Sequence, residues 1–100
     1  MLKLNNDIYK QIMWDYNIPK EDVERLLNRE IEFAGHYNRK GIIIKILQGL
    51  NWFSLIKLFG IKGLYDVLGD EEIKSLRFDD MKKKYQYAKQ RLHDIIQAAE

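Results

Sequence analysis

Apolar residues recur at helical spacing along nearly the whole chain. Ile8, Tyr9, Ile12 and Met13 succeed one another at steps of one, three and one, which places them on one helical face. Asn5 or Asn6 is suited to cap that helix, because a short amide side chain can accept from an unpaired N–H of the first turn. Trp14, Asp15, Tyr16 and Asn17 close it, with Asn17 a candidate for a left-handed cap. Pro19 stands where a second helix begins, with Glu21 and Asp22 in its first turn, at the positive end of the dipole. Val23, Leu26 and Leu27 form its buried stripe, and Asn28 ends it.

Arg29 to Asn38 reads as a connection held by two apolar anchors, Ile31 and Phe33, with Asn38 placed to cap the next element. Gly41 to Leu47 is ambiguous. Its β-branched isoleucines favour a strand, with Ile42, Ile44 and Ile46 on one face. A helix instead aligns Ile42, Ile43, Ile46, Leu47 and Leu50. The helix is the better expectation, because no partner strand is evident and a lone strand leaves its backbone unpaired.

Asn51 can cap a short helix, Trp52 to Phe59, that is apolar nearly all round. Such a helix belongs at the centre of a core, which predicts Trp52 and Phe59 inside. Gly60 ends this helix and Gly69 the next, whose stripe is Ile61, Leu64, Tyr65 and Leu68. Asp70, Glu71 and Glu72 open a short helix carrying Ile73 and Leu76. Asp79 or Asp80 caps the last and longest, with Met81, Tyr85, Ala88, Leu92, Ile95 and Ile96 on one side. No linker, repeat or low-complexity stretch divides these pieces. The expectation is an all-α fold: a single compact domain over 1–100, of six or seven mostly short helices with a longer C-terminal one.

Composition removes several function classes. The chain has no Cys and no Thr, and its only serines are Ser54 and Ser75, neither with a nearby His or a nucleophile-elbow pattern. Disulfide scaffolds and zinc fingers need cysteine. The longest uncharged stretch, Ile46 to Ile56, is well short of the roughly 20 apolar residues that span a bilayer. Asp7, Lys10 and Asp15 interrupt what would be the apolar centre of a signal peptide. These features predict a cytoplasmic protein with no membrane association.

Charge is uneven along the chain. Residues 1–38 carry five basic and seven acidic groups, residues 39–69 five and one, and residues 70–100 seven and seven. Within the last helix Lys82, Lys83, Lys84, Lys89 and Arg91 occur with no acid among them, interleaved with Tyr85 and Tyr87. Cations could neutralise phosphates there while the tyrosines stack bases. The plainer account is a solvated face, with Tyr85 already claimed by the apolar stripe. A helix-turn-helix aligned on Gly60 fails, because Ile56 stands where a small residue is needed and Asp66 where an apolar one is. Gly60-Ile61-Lys62-Gly63 matches the GxxG of KH domains in form, yet the three-stranded sheet of that fold is missing.

His36 and His93 lie far apart, neither with a partner at metal-ligand spacing. The acids at 70–72 and 79–80 are accounted for as caps and first-turn charges. The sequence therefore predicts no enzyme, no metal and no cofactor. What the stripes leave unused is a set of aromatic and polar residues: Trp14, Asp15, His36, Tyr37 and Arg39. Aromatic side chains near the surface are favoured interface anchors, and a Trp folded back over the core is the alternative for Trp14.

Ile12-Met13-Trp14-Asp15-Tyr16, Gly35-His36-Tyr37, Trp52-Phe53 with Leu55 and Leu58, Leu76-Arg77, and Tyr85 with Arg91-Leu92 occur in that order. In this the chain resembles a group of small bacterial helical proteins with an N-terminal Trp-Asp and an Arg/Tyr-rich last helix. Members of that group are often encoded beside abortive-infection-type nucleotidyltransferase toxins, and no catalytic residues are established for them. The resemblance implies an antitoxin-like partner of such a toxin. The chain lacks the Gly-Ser and paired Asp of a nucleotidyltransferase itself. The functional expectation is a non-catalytic protein-interaction module using Trp14, Asp15, His36, Tyr37 and Arg39. The same patch would equally serve a homo-oligomer. The alternative is a regulatory nucleic-acid-binding protein using Lys82, Lys83, Lys84, Lys89 and Arg91.

Overall fold

Three asparagines set the starts of three helices. The side-chain oxygen of Asn5 accepts from the N–H of Ile8 at 2.8 Å and opens α1, Asn6–Ile12. Asn38 does the same for Gly41 at 2.8 Å and opens α3, Arg39–Gly49. Asn51 does so for Ser54 at 2.8 Å and opens α4, Trp52–Val67. All three hold extended backbone angles, so each side chain reaches an N–H that the helix itself cannot pair. The remaining elements are α2 (Lys20–Leu27), β1 (Phe33–Ala34), β2 (Tyr37–Asn38), α5 (Asp70–Lys74) and α6 (Asp79–Ala99). The structure is a computed structural model that describes residues 2–13 and 18–99. Trp14, Asp15 and the proposed cap at Asn17 lie outside the described residues.

The ambiguous isoleucine run is helical. Ile42, Ile43, Ile46 and Leu47 of α3 are all buried, and α1, α2, α5 and β2 pack around them. Val23, Leu26 and Leu27 of α2, Ile8 and Ile12 of α1, and Ile73 of α5 complete that side of the core. Each such side chain removed from water contributes roughly 1.5–3 kcal/mol. On the other side α6 packs along α4 and buries Tyr85, Ala88 and Leu92. Tyr85 crosses the core and its hydroxyl donates to the carbonyl of Leu47 at 2.6 Å. That carbonyl belongs to the last turn of α3, where no helical N–H remains to pair it. The described residues share one core, with a radius of gyration of 13.4 Å.

Asn28 fixes both an end and a terminus. Its amide accepts from the N–H of Leu2 at 2.9 Å and donates to the Leu2 carbonyl at 3.0 Å. The chain then reverses through Arg29 at φ 63°, with Arg29 N–H to Leu26 carbonyl at 3.1 Å and Glu30 N–H to Arg25 carbonyl at 2.8 Å. This is the Schellman pattern, which normally places glycine at the left-handed position.

Several expectations are corrected. The connection from Arg29 to Asn38 contains a minimal antiparallel hairpin, pairing Phe33 with Asn38 and Ala34 with Tyr37. Gly35 makes the turn at φ 61°, and a Cβ there would meet Ile18 Cδ1 at 3.0 Å. Ala34, between them, is the buried residue of the hairpin, while Phe33 is 61% exposed and anchors nothing in the core. Trp52 and Phe59 only flank the core, because the first half of α4 lies at the periphery and packs one face inward, with Leu55 its one fully buried side chain. Ile61 and Ile95 of the expected stripes also stand out in solvent. Asp79 and Asp80 sit in the first turn of α6; the residue before them, Phe78, accepts the N–H of Lys82 through its carbonyl.

Two backbone positions test the fold directly. Gly60 breaks α4 with φ 74° and ψ 174°, a conformation reserved in practice for glycine, and no atom would obstruct a Cβ there. Gly60→Ala is expected to lower stability by about 1–2 kcal/mol through backbone strain alone. Arg29→Gly, which relieves the left-handed arginine, is expected to raise it by up to about 1 kcal/mol. Urea denaturation of the two variants should show these opposite signs.

Tyr85→Phe removes the donor to Leu47 and should cost about 1–2 kcal/mol, since it leaves a buried carbonyl unpaired. Burial also raises the Tyr85 phenol pKa above its ordinary value near 10. The folded state therefore keeps a proton that the unfolded chain loses. The stability it contributes is complete below the unfolded value and declines as pH rises toward the raised one. Denaturation titrations above pH ~10 should show a shallower alkaline loss in Tyr85→Phe than in the native chain.

Candidate functional site

Two surfaces collect the residues with functional potential. The first is the hairpin. His36 stacks on Tyr37 with ring centroids 4.4 Å apart, and Lys45 of α3 sits 6.0 Å above the Tyr37 ring. Arg39, half-buried at the start of α3, donates through Nε to the carbonyl of Leu27 at 3.1 Å and so closes the end of α2. Burial draws its guanidinium pKa down from the ordinary value; the charge of Arg29 adds to this and Glu72 opposes it. Beside it runs an open groove of about 500 Å³ whose lining mixes Arg29, Arg39 and Lys40 with Glu30 and Glu32 around Ile31 and Phe33. Of the expected partner-binding residues, His36 in the hairpin turn and Tyr37 in β2 stack on each other, while Arg39 begins α3 beyond the hairpin and is engaged with α2. Trp14 and Asp15 fall outside the described residues.

The second surface is the outer side of α6. Lys82 pairs with Asp79 at 3.7 Å, and Lys89 with Asp70 at 3.5 Å while lying 5.7 Å above the Tyr65 ring. Lys83, Lys84 and Arg91 point to solvent. Two of the five expected cations are thus ion-paired and the other three are exposed. Between Lys84 and Arg91 lies a groove of about 410 Å³ whose other walls are Trp52, Tyr87, Ala88 and Ile95. Tyr87 is 69% exposed and Ile95 46%, and Phe53, next to Trp52 in the chain, is 83% exposed.

Sequence reasoning missed this groove. Lys84, Tyr87, Ala88, Arg91 and Ile95 fall at steps of three, one, three and four, a second stripe rotated away from the core stripe of Tyr85 and Leu92. That spacing was available in the sequence. Its lateral wall was not, because Trp52 comes from another helix and reads there as a core residue.

A smaller polar hollow of about 270 Å³ lies where α4, α5 and α6 meet, lined by Tyr65, Asp70, Gln86, Lys89, Gln90 and His93. Its two charged groups already engage each other, Lys89 with Asp70 at 3.5 Å, and His93 Nδ1 lies 3.7 Å from the neighbouring Asp94. Among the described residues no three His, Asp or Glu side chains gather as metal ligands. No helix among them is long and apolar enough to cross a membrane.

Because the aromatics on the α4/α6 surface pack against little, they are separable from folding. Tyr87→Ser and Phe53→Ser should each leave stability within about 0.5 kcal/mol of the native chain in urea denaturation. No protein-family model, no curated protein and no solved structure matches this chain.

Proposed function

We propose that this chain is a non-catalytic protein-interaction module of the cytoplasm that binds a protein partner through the α4/α6 surface. One observation carries the reading: Trp52, Tyr87 and Ile95 line an open groove with Arg91 at its edge. Trp, Tyr and Arg are the side chains that most often dominate binding energy at protein interfaces, where a few large groups are fully desolvated. The resemblance to toxin-associated helical proteins is the sole ground for the partner's class, a nucleotidyltransferase-type toxin with this chain as its antitoxin-like companion. The hairpin, with His36, Tyr37 and Arg39, is the second surface such a partner would reach.

Nucleic-acid binding is the rival, and Lys83, Lys84 and Arg91 beside Tyr87 are what favour it. With Lys82 and Lys89 engaged by carboxylates, three cations that make no ion pair among the described residues give a short phosphate track.

The test is co-expression with the product of a neighbouring nucleotidyltransferase gene, then affinity measurement on the purified complex. Tyr87→Ala is expected to weaken that complex by ~2 kcal/mol or more, as a hot spot does. Loss of binding on replacing His36, Tyr37 and Arg39 instead would move the interface to the hairpin. Failure to form a complex would remove the proposed partner class. A salt-sensitive mobility shift with nucleic acid, abolished by reversing Lys83, Lys84 and Arg91, would replace the reading with its rival.

A further inference from the structure

We infer that the groove between the start of α4 and the outer stripe of α6 receives an acidic amphipathic helix of the partner. This rests on the interaction-module reading and adds the partner's chemistry. The apolar side of that helix lies on Trp52, Tyr87, Ala88 and Ile95, and its carboxylates meet Lys84 and Arg91.

Charge complementarity carries the argument. The groove is lined by two cations and four apolar or aromatic residues, with no carboxylate among them. Neither Lys84 nor Arg91 makes an ion pair among the described residues, whereas Lys82 and Lys89 on the same helix do. Lys84 is held along the surface, its ammonium 5.5 Å from the Tyr85 ring. Two acids lie near this side of α6: Asp80, one turn before Lys84, lines a neighbouring hollow with it without forming an ion pair among the described residues, and Asp94 accepts from Gln90 at 3.1 Å with His93 at 3.7 Å. An incoming carboxylate therefore finds two cations in a groove whose own lining holds no acid, with Asp80 at the Lys84 end its nearest rival.

The spacing selects a helix. Lys84 and Arg91 are seven residues apart, about 10 Å along the axis at the α-helical rise. A partner helix lying along α6 places side chains i and i+7 at the same separation on one face, with i+3 and i+4 between them. Ala88, midway and itself buried, forms the floor of the groove, and its small size leaves room above it for a large apolar side chain from the partner. Acids at i and i+7 around an apolar pair form the complementary pattern.

Two other occupants fit less well. A second copy of this chain would bring either α6 itself, which sets the same cations against Lys84 and Arg91, or one of the acid-rich helices α2 and α5, whose apolar sides are already used. The acids of α2 share their helix with Val23, Leu26 and Leu27, and those of α5 with Ile73, all buried in the chain's own core. A nucleic acid would need phosphate contacts continuing beyond the groove. Asp79 and Asp80 instead begin α6 at one end, with their charge against it.

The probe is a dye-labelled synthetic helical peptide with Glu at i and i+7 around Leu at i+3 and i+4, titrated against the full chain by fluorescence anisotropy. The control carries Lys in place of both Glu residues. The native chain is expected to bind the Glu peptide at least about tenfold more tightly than the Lys peptide. Lys84→Glu with Arg91→Glu should reverse that preference, and Tyr87→Ala should weaken binding of the Glu peptide by about tenfold. All three positions are solvent-facing, and circular dichroism will confirm that the variants stay folded.

Equal binding of the two peptides, or a preference that survives the double charge reversal, overturns the inference. So does displacement of the Glu peptide by a single-stranded or duplex oligonucleotide, or by self-association seen in gel filtration. The outcomes also separate the two proposals. A toxin complex that forms but ignores the charge reversal sinks the acidic helix and leaves the interaction module. A charge-dependent peptide preference without any toxin complex keeps the groove and removes the partner class.

Discussion

The hydrogen bond from Tyr85 to Leu47 orients the molecule. The terminal backbone groups of a helix need partners outside its own ladder, and where water does not reach, as at the Leu47 carbonyl, the protein must supply them. Asn38 supplies one at the start of α3, and the Tyr85 hydroxyl supplies one at its end. Both come from outside the helix, so α3 is completed only when α6 is in place. The converse holds as well. With Tyr85 aimed at Leu47, the rotation of α6 about its axis is fixed, and with it the side chains that face outward. Lys84, Tyr87, Arg91 and Ile95 are displayed because Tyr85, Ala88 and Leu92 are committed to the core.

Much of this architecture was legible in the sequence where a rule acts locally. An Asn three residues before a backbone N–H marks a helix start whatever surrounds it, and Asn5, Asn38 and Asn51 all behave so. The isoleucine run of α3 was resolved by the absence of a long partner strand, although its β-branched residues favour sheet. The hairpin escaped because two-residue strands are too short to show alternation. Its one local sign, Gly35 at the turn, fits many loops equally well. Arg29 gave no sign at all, since its left-handed angle is imposed by the backbone bonds that close α2.

What was not legible is how an element sits relative to the others. The first half of α4 is apolar nearly all round, and that pattern fits a central helix and a peripheral one equally. Packing decides between them, and only α6 lies extensively along α4. Phe53 and Trp52 are therefore left at the surface by topology, although their residue types suggested the core. The candidate site obeyed the same logic. The expected residues on the hairpin proved to hold structure as well: Arg39 closes α2, and Tyr37 packs between His36 and Lys45.

The distribution of unmet interactions separates the surfaces. Among the described residues no buried side-chain polar atom lacks a hydrogen-bond partner. In the polar hollow around Tyr65, Asp70 and Lys89 already attract each other, so a charged ligand there must displace an existing pair for a small net gain. The α4/α6 groove is in the opposite condition. Its apolar walls gain roughly 25 cal/mol for each Å² taken from water, and its two cations make no ion pair among the described residues. A binding event on this molecule is favoured most where it covers apolar area and supplies negative charge together. That combination belongs to an amphipathic protein segment, because a small polar substrate brings too little apolar area and a phosphate backbone brings almost none.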